Sequence, residues 1–416
     1  MNFFEELKWR GLIKDTTDEV GIAEKLNTHC TAYLGIDPTA DSLHIGHMQQ
    51  LLLLRRYQKA GHRVIALCGG ATGMIGDPRP TTERKLLTIE DVAHNVSCIK
   101  TQIGKFVDFE DETKGILVNN YDWTKELSLI DFLRDYGKHF NVAYMINKDT
   151  IAKRLESGIS FTEFTYTILQ AMDFLHLYNK YGCDVQFGGS DQWGNIVSGS
   201  DLIKKVHGSD TKVYGVTSPL VTKSDGTKFG KSEGSNIWLD ATKTSVYEFY
   251  QFWLNVTDED AIPLLKRMSF RTQEEIESIE LSMKENPHLR EAQKALASEI
   301  TELVHGKDAL DRALEITEIL FKGDIKKLSY EELKAAFKGA PSGEIIDGEP
   351  ILDALVKLNI CKSKNEARKL VEGNSVAVNG DKVNDINYVL NKKDAFNEEI
   401  TVIKKGKKVF ALAQFE

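Results

Sequence analysis

The stretch from Thr31 to Gly61 constrains the fold more than any other part of this chain. Thr31-Ala32-Tyr33-Leu34-Gly35-Ile36 reads as a strand, Asp37-Pro38 breaks it, and Ser42-Leu43-His44-Ile45-Gly46-His47 opens a helix. Asp41 and Ser42 are favoured helix-start residues, Leu51 to Leu54 and Tyr57 give that helix an apolar side, and Gly61 suits a left-handed exit. Arg63 to Cys68 follows as a second buried strand. A strand-helix-strand unit of this kind winds right-handed and aims helix N–H groups and a positive dipole end at the sheet's carboxyl edge, where phosphates bind.

His44 and His47, three residues apart, share one side of the helix, and Gly46 between them leaves the backbone open to a flat ligand. On these residues alone, a pair of partly exposed histidines remains an equally simple reading. The run Asp37-Pro38-Thr39-Ala40-Asp41-Ser42-Leu43-His44-Ile45-Gly46-His47 closely resembles the nucleotide-binding signature of the class I aminoacyl-tRNA synthetases, and Tyr33 ahead of it resembles the tyrosyl branch. Coenzyme adenylyltransferases share the His-x-Gly-His element, so further motifs have to decide.

Phe161 to Lys180 is an apolar helix crossed by Tyr166, Gln170 and Asp173, which helical spacing places within about 60° of arc. The stripe fits either a solvated face or the wall of a pocket. Asp184-Val185-Gln186-Phe187-Gly188-Gly189-Ser190-Asp191-Gln192 reads as a buried strand opening into a glycine turn, with Asp191 suited to a helix cap or to a ligand crevice. Gly69 to Pro78 is a glycine-rich turn ending at Asp77; it lacks the spacing of a dinucleotide fingerprint. Lys223 to Gly234 interleaves Lys228, Lys231 and Ser232 with glycines, a segment able to fold over phosphates or to remain a solvated loop. It resembles the second class I signature, generically Lys-Met-Ser-Lys-Ser, with Phe229 and Gly230 at the two central positions.

The resemblance implies residue roles. Tyr33 and Asp173 would bind a phenolic hydroxyl, Asp77, Tyr166 and Gln170 the ammonium group, and Gln186 and Gln192 would border the amino acid. Gly35, Asp37, Gly46, Gly189, Asp191 and Lys231 would serve ATP. Thr39, His44, His47, Lys228, Lys231 and Ser232 would carry catalysis by stabilising charge on the phosphates and seating the nucleotide. Leu34 stands where some relatives have a cysteine that reaches the ribose. The implied activity is activation of L-tyrosine by ATP to tyrosyl-adenylate and pyrophosphate, then transfer to the terminal ribose of tRNA(Tyr). Mg2+ would arrive with ATP as co-substrate, with no protein-held metal or organic cofactor.

The chain has 416 residues, room for several domains. The implied architecture is α/β: a Rossmann-like parallel-sheet catalytic domain over 1–222, a lysine loop and α-helical domain over 223–322, a glycine- and proline-marked linker over 323–349, and a small α+β RNA-binding domain over 350–416. In the last of these, Ser363 to Glu366 reads as a capping box and Asn379-Gly380 as a hairpin turn. Residues 354–416 carry 12 Lys and Arg against 8 Asp and Glu, on a chain of net charge −9. A basic tail on an acidic body suggests either a solvated basic surface or a place for a polyanion, and with the resemblance Arg368 and Lys369 are the candidate RNA contacts. Leu310, Ala313, Leu314, Leu320 and Phe321 are expected on one side of a late helix, and Leu129, Phe132, Leu133 and Tyr136 on one side of an earlier one. The five cysteines are scattered without a CxxC pair, which argues against a disulfide framework or a zinc site. No apolar run approaches membrane length, so a cytoplasmic protein is expected. The family further implies a homodimer.

Overall fold

The computed structural model describes residues 1–78, 86–155, 158–222, 224, 226, 229–232, 235–406 and 409–416. They form two compact units: Met1–Thr244 with Phe252–Val304, and Ser245–Gln251 with His305–Glu416.

The first unit is built on a six-stranded sheet of β1 (Asp15–Thr16), β2 (Thr31–Ile36), β3 (Arg63–Cys68), β4 (Gly115–Asn119), β5 (Val185–Gly189) and β6 (Tyr214–Ser218). Their spatial order is β1-β6-β5-β2-β3-β4, with β1 an antiparallel edge and the others parallel. From the middle, β3 and β4 extend one way and β5 and β6 the other. The topological switch point therefore falls between β2 and β5, where Tyr33 pairs in register with Gln186. This is the Rossmann-like α/β fold expected from Thr31 to Gly61. The sheet packs Tyr33, Ile65 and Leu67 against Ala171, Phe174 and Leu175 of the helix Phe161–Tyr181, which enters on a Ser160 cap and leaves through left-handed Gly182.

Elsewhere, local details depart from expectation. Leu129 to Tyr136 does not form one α-helix: Leu129–Asp131 passes into a π-turn at Phe132–Tyr136, and Leu129, Ile130 and Leu133 stay exposed. In the helix Lys307–Lys322 the buried side is Leu310, Ala313, Ile316 and Ile319, whereas Leu314 is partly exposed and Phe321 is 89% exposed. Each step of three residues turns the buried side back by about 60°, so by Ile316 and Ile319 it faces away from the direction that Leu314 and Phe321 share.

The second unit holds a five-stranded sheet in the order Asp381–Val383, Val376–Val378, Ile400–Lys405, Val409–Phe415, Ser342–Ile345. Asn379 and Gly380 turn its hairpin with positive φ of 49° and 90°. Alternation puts Ile403, Ala411 and Ala413 against the helices Ile351–Lys357 and Lys364–Glu372. On the opposite face Val402 and Leu412 meet Ile316, Ile319, Ile325 and Leu333. Residues 323–349 are thus not a linker. They supply the helix Tyr330–Ala336, part of this second core, and the strand Ser342–Ile345, which pairs parallel to Val409–Phe415. Of the glycines that suggested a linker, Gly339 and Gly348 are turn residues with φ near 80°, and Gly343 lies within the strand, paired with Ala413. Ser363 caps its helix as expected, but Glu366 reaches back to the Lys362 N–H rather than to the cap's own.

Candidate active site

A cavity of about 420 Å³ opens beyond the carboxyl ends of β2 and β5. Its lining includes Tyr33, Gly35, Asp37, Thr39, His44, Gly46, His47, Asp77, Tyr166, Gln170, Asp173, Gln186, Gly189, Asp191 and Gln192, so residues expected to serve the amino acid and the nucleotide meet in one space. Its volume is in the range of small-molecule sites.

On the nucleotide side the helix after β2 runs Ile45–Lys59 and is capped by His44, not by Asp41 or Ser42. His44 Nδ1 accepts the Gly46 N–H at 3.0 Å, and His47 Nδ1 accepts the His44 N–H at 3.2 Å. Two imidazoles thus make a reciprocal cap. With each Nδ1 accepting, the ring proton sits on Nε2, leaving that nitrogen as the donor. Burial first, and His44 second, hold His47 down at about 3, so it works as a neutral ring at physiological pH. A Cβ at Gly46 would lie 2.7 Å from His44 Cε1, so the glycine is needed for the ring to fold back onto the helix start.

At the other end Asp173 is buried, its Oδ1 accepting from Trp123 Nε1 at 3.0 Å and its Oδ2 from Asn120 Nδ2 at 2.9 Å. Burial pushes this carboxyl up to about 7, against the pull of those two donors. Across the cavity the buried Tyr33 hydroxyl has no hydrogen-bond partner, nor have Gln170 Oε1 and Gln186 Oε1. Buried polar atoms without a partner that line one cavity are places where a polar ligand can bind. Between the two ends, Tyr166 donates its hydroxyl proton to Asp37 Oδ2 at 2.7 Å, and Asp77 accepts from Gln192 Nε2 at 2.8 Å and Asn195 Nδ2 at 3.3 Å. Asp191 is exposed at the rim and caps neither the turn Ser190–Gln192 nor the helix Trp193–His207.

Lys228 lies outside the described residues, and of Lys231 and Ser232 the backbone is described, as a short strand against Ser235–Asn236. The arms of that segment are anchored. Ser224 N–H donates to Asp260 Oδ1 at 2.9 Å, Ile237 N–H to the Gly230 carbonyl at 3.1 Å, and Ile45 N–H to the Ile237 carbonyl at 3.0 Å. The second signature is therefore laced to the start of the first. Arg368 and Lys369 lie in the second unit, exposed on the helix Lys364–Glu372.

Sequence reasoning missed Asn120, Trp123 and Thr72, all of which touch the cavity's polar wall or line it. Asn120-Tyr121-Asp122-Trp123 directly follows Asn119, the last residue of β4, and a polar run at the carboxyl end of a parallel strand was the available signal.

Comparison with known proteins places the whole chain beside one family. The family model described as tRNA synthetases class I (W and Y) matches residues 24–322, and that of the tyrosine–tRNA ligase SYY-like C-terminal domain matches 332–413. A tyrosine–tRNA ligase from Staphylococcus saprophyticus is 53% identical over 415 residues, 99% of each chain, and one from Staphylococcus haemolyticus is 52% identical over the same span. Among solved structures, a C-terminally truncated mitochondrial tyrosyl-tRNA synthetase from Aspergillus nidulans is 33% identical, with a TM-score of 0.69 over 77% of this chain and 94% of that one.

Proposed function

Because the chain belongs to the class I tRNA synthetases of the W and Y type, we propose that it works as a tyrosine–tRNA ligase. It activates L-tyrosine with ATP to tyrosyl-adenylate and pyrophosphate, then passes the tyrosyl group to the terminal ribose of tRNA(Tyr). The observation that carries tyrosine over tryptophan is the partnerless Tyr33 hydroxyl sharing a cavity with the buried carboxyl of Asp173. A phenol hydroxyl, which both donates and accepts, can serve the carboxylate and the Tyr33 hydroxyl together, whereas phenylalanine serves neither and an indole N–H only donates; a buried polar group left without a partner costs about 1–3 kcal/mol.

The tyrosine carboxylate attacks the ATP α-phosphorus in line, and pyrophosphate leaves. No side chain forms a covalent bond. Asp77 and Gln170 hold the ammonium group with Tyr166, while Gln186 and Gln192 border the amino acid. Gly35, Gly46 and Gly189 let the nucleotide approach the backbone, Asp37 and His47 seat it, and Asp191 accepts from the ribose in place of any bond from Leu34. Thr39, His44, Lys228, Lys231 and Ser232 stabilise the charge that grows on the phosphates, which lowers the barrier more than it strengthens ground-state binding. Magnesium travels with ATP as part of the substrate.

Arg368 and Lys369 contact the tRNA. The enzyme acts as a homodimer, supported by the exposed Leu129, Ile130, Leu133, Val142, Tyr144, Leu155 and Phe161 of the first unit. Among the described residues no helix is long and apolar enough to cross a membrane; a cytoplasmic site of action is part of this reading. The deciding experiment is exchange of labelled pyrophosphate into ATP with each standard amino acid in turn. Tyrosine alone should support it; exchange driven by tryptophan, or by none, overturns the assignment.

A further inference from the structure

Two carboxylates of the cavity, Asp37 and Asp173, are joined through neutral side chains from other segments. Asn120 is fully buried, and its Oδ1 accepts the Ala71 N–H at 2.7 Å, which fixes its orientation and leaves the amide nitrogen as donor. That nitrogen donates to Asp173 Oδ2 at 2.9 Å and to Thr72 Oγ1 at 3.0 Å. A hydroxyl has one proton. Since Thr72 accepts from Asn120, its own proton goes to Asp37 Oδ1 at 2.6 Å, and Asp37 Oδ2 takes the Tyr166 proton at 2.7 Å. Tyr166 and Asp173 belong to one helix, so the chain of bonds closes on itself. The backbone leaves room for it: a Cβ at Gly69 would lie 2.1 Å from Asp37 Oδ1 and 2.3 Å from Thr72 Oγ1.

The direction of these bonds sets the polarity of the site. With its proton held by Asp37, the Tyr166 oxygen can only accept from a ligand, and an ammonium group is a pure donor. Asp37 stays turned toward Tyr166 because Thr72 grips its other oxygen. We propose that Thr72 is a positioning residue for the amino acid, whose hydroxyl pins Asp37 and thereby keeps Tyr166 an acceptor for the substrate's ammonium group. This rests on the tyrosine-activating function above.

The test uses the full chain with Thr72→Val, which keeps the shape and removes the hydroxyl, and Thr72→Ser, which restores it. Tyrosine-dependent pyrophosphate exchange gives KM for tyrosine, and inhibition by p-hydroxyphenylpropionate, tyrosine without its amino group, gives KI for a ligand that cannot use the device. Thr72→Val should raise KM for tyrosine about tenfold, the size of one charge-assisted hydrogen bond, while KI for the analogue stays within about twofold. Thr72→Ser should recover most of the loss. An unchanged KM for tyrosine, or equal rises in KM and in the analogue's KI, overturns the proposal, the second outcome marking a merely structural threonine. If Thr72→Val fails to fold, Thr72→Ala is read by the same comparison. Absence of tyrosine-dependent exchange in the wild type would overturn the function itself, which keeps the two failures apart.

Discussion

At the scale of single residues, Asp173 concentrates the chemistry of recognition. Its carboxyl is pushed by burial to about 7 and accepts two hydrogen bonds, an arrangement complete only when it is ionised. Because the shift is upward, the group is protonated below about pH 7 and charged above it. Tyrosine binding, followed by protein fluorescence, should therefore strengthen as pH rises through about 7, and Asp173→Asn should flatten the profile. The opposite slope would mean that the neutral acid is the binding form. Tyr33→Phe removes the other partner of the substrate hydroxyl. It should weaken tyrosine binding by about 0.5–1.5 kcal/mol, and kcat/KM for tyrosine over phenylalanine should narrow accordingly. Helical spacing made Tyr166, Gln170 and Asp173 legible as one stripe, since a helix is a local object. Whether that stripe faced water or a cavity was not legible, because the donors that satisfy Asp173 come from Asn120 and the short helix Tyr121–Thr124 after β4, far along the chain.

At the scale of elements, the site depends on how two glycine-containing segments are tied together. The crossover after β2 was readable from turn chemistry and apolar spacing, but its helix begins at Ile45 because His44 does the capping, a task that composition assigns to Asp or Ser. The tie between the two signatures was invisible for the same reason that any long-range pairing is: Ile45 and Ile237 meet only in the fold. Gly230 sits within that tie at φ 102°, and a Cβ there would lie 3.0 Å from Ile45 Cγ1. Gly230→Ala should thus misplace the lysine-bearing segment at a strain of about 1–3 kcal/mol. Single-turnover measurements should find adenylate formation slowed about tenfold or more, with tyrosine binding within about twofold of wild type. Equal losses in both would show that the segment supports the amino-acid pocket as well.

At the scale of the whole molecule, chemistry and RNA recognition are expected to separate. Arg368 and Lys369 are exposed on a helix of the second unit, whereas the cavity belongs to the first. Arg368→Glu with Lys369→Glu should leave pyrophosphate exchange within about twofold, lower tRNA charging about tenfold near physiological salt, and flatten its salt dependence. Loss of exchange as well would tie the two activities together. For the subunit state, Leu133→Asp should move the protein from dimer to monomer in sedimentation, an exposed leucine on a monomer being indifferent to the change. The sheet of the second unit has one more consequence. Val409–Phe415 is inserted between Ile400–Lys405 and Ser342–Ile345, so the strand synthesised after both of its neighbours is the one that joins them. A message with a premature stop codon just ahead of residue 409 would release a chain whose sheet stops at Ile400–Lys405 with an open edge and whose Ser342–Ile345 has no strand to pair with, a product fit for the cell's proteases rather than a slightly shortened enzyme.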